Sequence, residues 1–371
     1  MSALSITASP GVSIIIPAWR LTTELAACLD AIAAQQHPPQ YEVIVVVNGG
    51  DPAVAAVAEN HPLQPTVRSL PVNVGFGRAC NLGASMAKGA DLVFLNDDTV
   101  VAPQWLAALV KAGTLPGVGA VVSLLLDLDG ATVLEAGARI VGDAEYRPFG
   151  IGQSISAAQT AGLLTARAVE YGSGAALLIS AALFHQLGGF DSSYAPAYYE
   201  DTDLEFRIRA AGYQIWFEPA ARVRHYANHS TKDRQAFREF ASERSRAIFL
   251  KRWKEILPSA AEAAENSAAP QQPAVELHPI PKLPGFIPGS HSLLDGNADP
   301  QLLTALSATT NAEYVAWLEN HYLPRLENQI GQGQQELNAM RKTISWRLTR
   351  PLRALRQPKR RIDRTYHLAG E

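Results

Sequence analysis

The chain of 371 residues is poor in charge: Asp, Glu, Lys and Arg make up 18% of it, and the formal net charge is −3. That balance offers no general attraction to a polyanion, so nucleic acid is not an expected partner. Cysteine is scarce as well, with Cys28 and Cys80 only. Both lie in stretches of helical spacing, which argues against a disulfide-stapled scaffold and suits a reducing compartment. No window approaches the roughly 20 apolar residues of a membrane span. The opening "MSALSITASPGVSIIIPAW" has no basic n-region and no long apolar core. A cytoplasmic chain without a signal peptide is therefore the expectation. No internal repeat is evident.

What the sequence has is alternation. "VSIIIPAW" (12–19), "YEVIVVVN" (41–48), "PTVRSLP" (65–71) and "DLVFLN" (91–96) are β-branched or apolar runs fit to be buried strands. Between them stand helical patterns: "TTELAACLDAIAAQ" with Thr22 or Thr23 as N-cap, "DPAVAAVAEN" with Pro52 in its first turn, and "GRACNLGASMAKG". Continuous apolar strands alternating with helices predict an α/β fold whose parallel sheet is covered on both faces. Ligands bind such sheets beyond the carboxyl ends of the strands.

Beyond residue 115 the pattern is less regular. "VGAVVSLLLD", "TVLEAGARIV" and "EYGSGAALLIS" read as strands, whereas 142–168 has no clear assignment. A helix over "AALFHQLGGFD" is capped by Ser180 and stopped by Gly188 and Gly189. "YYEDTDLEFRIRAAGY" is an acidic-headed helix ended by Gly212, followed by a strand "QIWFEPAARVRHYA" and a helix at about 233–255. These set a first domain at 1–256. A Pro- and Ala-rich linker is expected at 257–300, and a helical extension at 301–371. From 341 to 364 that extension carries ten Lys or Arg against one acidic residue, Asp363. Trp346, Leu348, Leu352 and Leu355 are interleaved with them. Two readings stand: a basic amphipathic tail lying on an anionic membrane surface, or a helix end packed on protein. Pro351 divides the tail into two short pieces.

Three features could carry chemistry: Asn96-Asp97-Asp98, Glu200-Asp201-Thr202-Asp203, and His225. Each has a plain structural reading. Asp97 or Asp98 can end a strand with an Asx turn. The second cluster favours a helix N-terminus, and Thr202 and Glu205 have capping-box spacing. A lone histidine alternating with Val223 on a strand is most often just packed. Capping nevertheless explains one or two carboxylates, not five on two loops. A divalent cation that also binds a nucleotide diphosphate needs few protein ligands, and a carboxylate held off the metal can deprotonate a nucleophile.

The ordered blocks "IIIPAW", "EVIVVVNGG", "NVGFGRACNLG", "FLNDDT", "GSGAALLI", "GGFDSSYAPAYYEDTDLEFRIRAAGY" and "VRHYANHS" resemble glycosyltransferase family 2, over residues 11–255. The resemblance extends to bacterial rhamnosyltransferase-like surface-polysaccharide transferases. It implies a GT-A (Rossmann-like) fold with a mixed central sheet plus the C-terminal helical extension. It further implies inverting transfer of a sugar from a nucleotide-diphosphate donor to a saccharide or lipid-linked saccharide, with rhamnose the favoured sugar. Asn96-Asp97-Asp98 occupies the family's Asp-x-Asp position, so Asp98 is expected to ligate Mn²⁺ or Mg²⁺ together with His225. Asp201 matches the catalytic base. Pro17, Ala18, Trp19, Asn48, Asn73, Gly75, Arg78 and Asn81 are expected along the nucleotide with Asn96 and Asp97. Gly174, Ala175 and Glu200 fall near the sugar and acceptor. In one departure, Val47 precedes Asn48 where the family commonly has an aspartate that reads the pyrimidine ring, so the base is left open. The alternatives are a non-catalytic binding or scaffold subunit and a sugar nucleotidyltransferase. The latter would need a glycine-rich phosphate loop, which "PAWRLTTEL" lacks.

Overall fold

The computed structural model describes residues 11–226, 234–257 and 300–342. β1 (Val12–Ala18), β2 (Tyr41–Asn48), β3 (Thr66–Leu70) and β4 (Asp91–Leu95) lie parallel in the order β4-β1-β2-β3. Helices α1 (Thr22–Ala33), α2 (Pro52–Glu59) and α3 (Phe76–Met86) connect them. Ile14, Ile15 and Ile16 of β1 and Leu92, Val93, Phe94 and Leu95 of β4 are fully buried. Each such side chain gains about 1.5–3 kcal/mol from leaving water, which is why these runs fix the centre of the sheet.

The second half makes the sheet mixed. After β5 (Thr99–Val101) and α4 (Trp105–Gly113) come β6 (Val118–Leu126), β7 (Val133–Glu135), β8 (Ala138–Val141) and β9 (Glu145–Pro148). They are followed by α5 (Ile155–Thr160), β10 (Arg167–Val169), β11 (Ala176–Ser180), α6 (Ala181–Gln186), α7 (Glu200–Ala210) and β12 (Gln214–His225). The long sheet runs β10-β12-β6-β11-β4-β1-β2-β3, with β11 antiparallel to both β4 and β6. β8 and β9 form a separate antiparallel pair.

Several local expectations are corrected. The cap of α1 is Leu21, and no side chain caps it, so neither Thr22 nor Thr23 has that role. The predicted strand over 132–141 breaks into β7 and β8 because Gly137 takes a left-handed φ of +75°. The strand predicted over 170–180 starts only at Ala176, since the backbone at 172–174 is drawn towards carboxylates instead of a neighbouring strand. The cap of α7 is Tyr199 and no side chain caps it, so the Thr202–Glu205 capping box is not formed.

Helix α8 (Gln235–Trp253) is fastened to α7 through Asp203. That fully buried carboxylate accepts hydrogen bonds from Arg207 Nε (2.7 Å), Arg252 Nη1 (2.6 Å), Trp253 Nε1 (2.8 Å) and Tyr194 Oη (3.2 Å). Phe206, Phe249 and Trp253 pack as an aromatic cluster beside it. Contacts divide the chain into two units, residues 1–314 and 315–371. Within the first, Glu313 pairs with Arg244 at 2.7 Å and Tyr314 packs on Phe237 and Phe240. Helices α9 (Pro300–Trp317) and α10 (Leu323–Lys342) form the C-terminal extension. Residues 258–299 of the expected linker and 343–371 of the expected basic tail lie outside the described residues. Among the described residues no helix is long and apolar enough to cross a membrane.

Candidate active site

Two register relationships assemble the site. Pairing of Leu95 with Ala176 sets the end of β4 against the start of β11, and the Asn96 amide donates to the Ala175 carbonyl at 2.9 Å. Pairing of His225 with Thr99 brings the end of β12 beside the same turn. A cavity of about 650 Å³ opens there. Of the residues expected from the sequence it is lined by Pro17, Trp19, Asn48, Asn73, Asn96, Asp97, Asp98, Gly174, Ala175, Glu200, Asp201 and His225.

One wall comes from the ends of β1, β2 and β4. Asp97 Oδ2 accepts from the Trp19 amide at 2.8 Å, which fixes the chain leaving β1. Burial, reinforced by the charge of Asp98, holds the Asp97 carboxyl well above the usual carboxylate range. The Trp19 ring carries the guanidinium of Arg20 at 4.4 Å and that of Arg234 at 5.3 Å. Asn48 braces the wall: its Nδ2 donates to Asn73 Oδ1 and to the Gly75 carbonyl, both at 3.2 Å, and its Oδ1 accepts from the Val74 amide at 2.8 Å.

Four expected residues stay outside the cavity lining. Ala18 is fully buried in the core. Asn81 spends its amide on Phe190, donating to the carbonyl at 2.8 Å and accepting from the N–H at 2.9 Å. Gly75 donates its N–H to Asn73 Oδ1 at 2.9 Å, and Arg78 reaches the Val74 carbonyl at 3.5 Å. These groups shape the loop around α3.

At the floor, His225 Nε2 lies 3.1 Å from Asp98 Oδ1 and 3.4 Å from Asn96 Nδ2. One ring nitrogen cannot donate to the carboxylate and accept from the amide at once. Asn96 Oδ1 is buried without a hydrogen-bond partner. Among the described residues no group of three or more His, Cys, Asp or Glu could hold a metal ion. Two oxygen donors and an imidazole nitrogen, with their hydrogen bonding unsettled, nevertheless fit a cation whose remaining positions are filled by phosphate oxygens and water.

Asp201 sits in the first turn of α7, which the chain enters through two consecutive left-handed residues, Tyr198 (φ +75°) and Tyr199 (φ +66°). Its Oδ2 accepts from the Gly174 N–H at 2.9 Å and the Tyr171 hydroxyl at 2.8 Å; its Oδ1 accepts from Thr202 N at 2.7 Å and Thr202 Oγ1 at 3.3 Å. The bond to Gly174 belongs to a series. Gly172 N donates to Glu205 Oε2 at 2.9 Å and Ser173 N to Glu135 Oε1 at 2.7 Å, so three successive amides meet three separate carboxylates. Burial pushes the Glu135 carboxyl up to about 7, against the opposing bonds from Tyr146 and Ser173. Burial, then the charge of Asp201, raises Glu200 well above its ordinary value, and Glu200 Oε2 has no hydrogen-bond partner.

Glu135, Tyr146 and Tyr171 escape a reading of the sequence, as do Arg20 and Arg234. The first three line the cavity from short strands and a loop that carry no periodic signal. The one available hint was a glutamate set in an otherwise apolar run, "TVLEAG".

Over 212 residues the chain is 35% identical to N-acetylglucosaminyl-diphospho-decaprenol L-rhamnosyltransferase of Mycobacterium tuberculosis, covering 50% of this chain and 67% of that protein. It is 27% identical over 241 residues to the O-antigen biosynthesis protein RfbC of Myxococcus xanthus, covering 60% of this chain and 18% of RfbC. An uncharacterized protein of Sinorhizobium fredii matches at 28% identity, and 28% of its length is spanned. The chain thus covers less than a third of these two longer relatives. Among solved structures, GalNAc-T7 with UDP, GalNAc and Mn²⁺ superposes with a TM-score of 0.51 at 16% identity, over 66% of this chain and 48% of that one, a likeness of fold. The model of the family described as glycosyltransferase like family 2 matches residues 10–249. With its mixed GT-A sheet and the site at the strand ends, the chain belongs to glycosyltransferase family 2.

Proposed function

We propose that this protein is an inverting transferase that moves a sugar from a nucleotide-diphosphate donor to a hydroxyl of a saccharide or lipid-linked saccharide. One observation carries the reading: Asp201 and the Asp98–His225 pair face a single cavity from different elements. Pro17, Trp19, Asn48, Asn73, Asn96 and Asp97 make the donor wall. Asp98 and His225 would hold a divalent cation, with Mn²⁺ favoured over Mg²⁺ by the imidazole. Such a cation, when bound, offsets charge developing on the departing diphosphate.

The chemistry of the protein's own groups centres on Asp201. Four donors hold its carboxylate in place, and the longest of these bonds, from Thr202 Oγ1 at 3.3 Å, is the one a hydroxyl rotation releases. The freed lone pair takes the proton of the acceptor hydroxyl. The acceptor oxygen then bonds to the anomeric carbon as the bond from that carbon to the diphosphate oxygen breaks. The electron pair leaves with the nucleoside diphosphate, and the configuration inverts. Glu200, its carboxyl raised by burial and by the charge of Asp201, lines the same cavity with Oε2 unpartnered and is placed to hydrogen-bond the sugar or acceptor. The match to a rhamnosyltransferase and to an O-antigen biosynthesis protein supports surface-polysaccharide synthesis and makes dTDP-rhamnose the first donor to test. The basic tail at 341–371 would hold the enzyme on the inner membrane surface, near a lipid-linked acceptor.

The test is hydrolysis of dTDP- and UDP-sugars, including dTDP-rhamnose, with and without Mn²⁺. Metal-dependent release of the nucleoside diphosphate from one donor supports the reading. No release from any donor, with no nucleotide raising the melting temperature, would favour the scaffold alternative.

A further inference from the structure

The donor wall leaves half of the cavity unassigned. A further part of the lining comes from the second half of the chain: Leu134 and Glu135 of β7, Ile140 of β8, Tyr146 of β9, Ile151, and Tyr171. It is apolar apart from one carboxylate and two phenols. Tyr146 is 45% exposed, yet its ring is fixed twice: its hydroxyl donates to Glu135 Oε2, and the Tyr171 ring meets it edge-on at 5.7 Å and 89°. The result is a rigid aromatic surface open to the cavity. Glu135 is 1% exposed, and its two bonded donors, Tyr146 and the Ser173 N–H, leave lone pairs unused, since a carboxylate offers about four. A carboxylate is costly to bury in such a wall.

We propose that Glu135 and Tyr146 are the acceptor-specificity pair: a saccharide ring rests its C–H face on Tyr146 while one of its hydroxyls donates to Glu135. This inference rests on the transferase reading and names the chemistry of its acceptor side. A pyranose has an apolar C–H face and a rim of hydroxyl donors. A mostly apolar wall with an aromatic platform and one buried acceptor matches both, as small-molecule sites generally do. The position is also right for reaction. Glu135 holds Ser173, the neighbouring amide of Gly174 is bonded to Asp201, and Glu200 Oε2 stands unpartnered in the same cavity. A sugar held at Glu135 therefore lies one residue of rigid backbone away from the base.

Saturation-transfer NMR on the full chain tests it without any need for turnover. The probes are the methyl glycosides of glucose, galactose, mannose, rhamnose and N-acetylglucosamine. At least one should show transfer to its ring protons. Tyr146→Ala should remove it and Tyr146→Phe, which keeps the ring, should retain most of it. Glu135→Gln keeps an oxygen for Ser173 but replaces the second carboxyl oxygen by an amide donor, and should weaken binding about tenfold. Circular dichroism and melting temperature establish that each variant is folded. Transfer to no glycoside, or transfer unchanged in both Tyr146→Ala and Glu135→Gln, overturns the proposal. Donor hydrolysis by the parent protein reports separately on the transferase reading, so the two failures are distinguishable.

Discussion

Gly174 and Asp201, 27 residues apart, are in contact through both backbone and side chain: the Gly174 N–H donates to Asp201 Oδ2 at 2.9 Å, and a Cβ on Gly174 would lie 2.7 Å from Asp201 Cβ. Only a residue without a side chain at 174 leaves room for Asp201 at this distance. Gly174→Ala should push the carboxylate aside and lower turnover about 10²-fold, the usual cost of ångström-scale misplacement. Steady-state rates with a fixed donor, set beside the melting temperature, check this. Parent-like turnover would mean that the contact does not position the reacting group.

Asp203 differs in kind from its neighbour Asp201, although the sequence places both in one acidic cluster. It is fully buried between two arginines, a tryptophan and a tyrosine. Asp203→Asn should destabilise the fold by about 3–5 kcal/mol, because buried Arg207 loses its counter-charge and Arg252 keeps only that of Asp191. Urea denaturation reads the loss directly. A change below about 1 kcal/mol would contradict the role of Asp203 as the tie between α7 and α8.

Glu135 gives stability a pH dependence of definite sign. Its carboxyl is raised from 4.5 to about 7, chiefly by burial. The folded state therefore binds this proton more tightly than the unfolded state does. Stability is fullest below the unfolded value and declines as pH climbs from about 4.5 towards 7, by on the order of 3 kcal/mol. Glu200, Glu205 and Asp97 are raised by burial too and act in the same direction. Denaturation curves at pH 5 and 7.5 should show a smaller difference for Glu135→Gln than for the parent. An unchanged difference would mean that Glu135 does not hold its proton in the folded protein.

The cation reading predicts that Asp98→Ala and His225→Ala each weaken Mn²⁺-dependent binding of a nucleoside diphosphate. Calorimetric titration of UDP and dTDP, with Mn²⁺ and then with EDTA, measures it. Equal affinity in the metal-free protein, or full turnover in EDTA, would remove the assignment.

Strands β1 to β4 and their helices were legible because an apolar β-branched run between turn residues admits few other structures. The acidic turn after Leu95 was legible as well, since carboxylates at a strand end in an α/β sheet point to a ligand. Glu135, Tyr146 and Tyr171 were not. They lie on a short strand, a hairpin and a loop whose geometry is set by Gly137 and by side chains distant in sequence. Nor could composition separate Asp201 from Asp203. Only tertiary packing turns one to the cavity and the other to α8. The unusual backbone at Tyr198 and Tyr199 has no sequence marker, because neither is a glycine or an asparagine.

The proposed transfer depends on the Asp201 carboxylate acting as the base. The most direct measurement is turnover of Asp201→Asn with the best donor, beside its melting temperature and donor affinity. Asparagine keeps a similar shape and can still accept from Gly174 and Tyr171, but it cannot take a proton. Turnover should fall 10²–10⁴-fold while melting temperature and donor affinity stay near those of the parent. Near-parent turnover in a folded Asp201→Asn protein would mean that Asp201 is not the base.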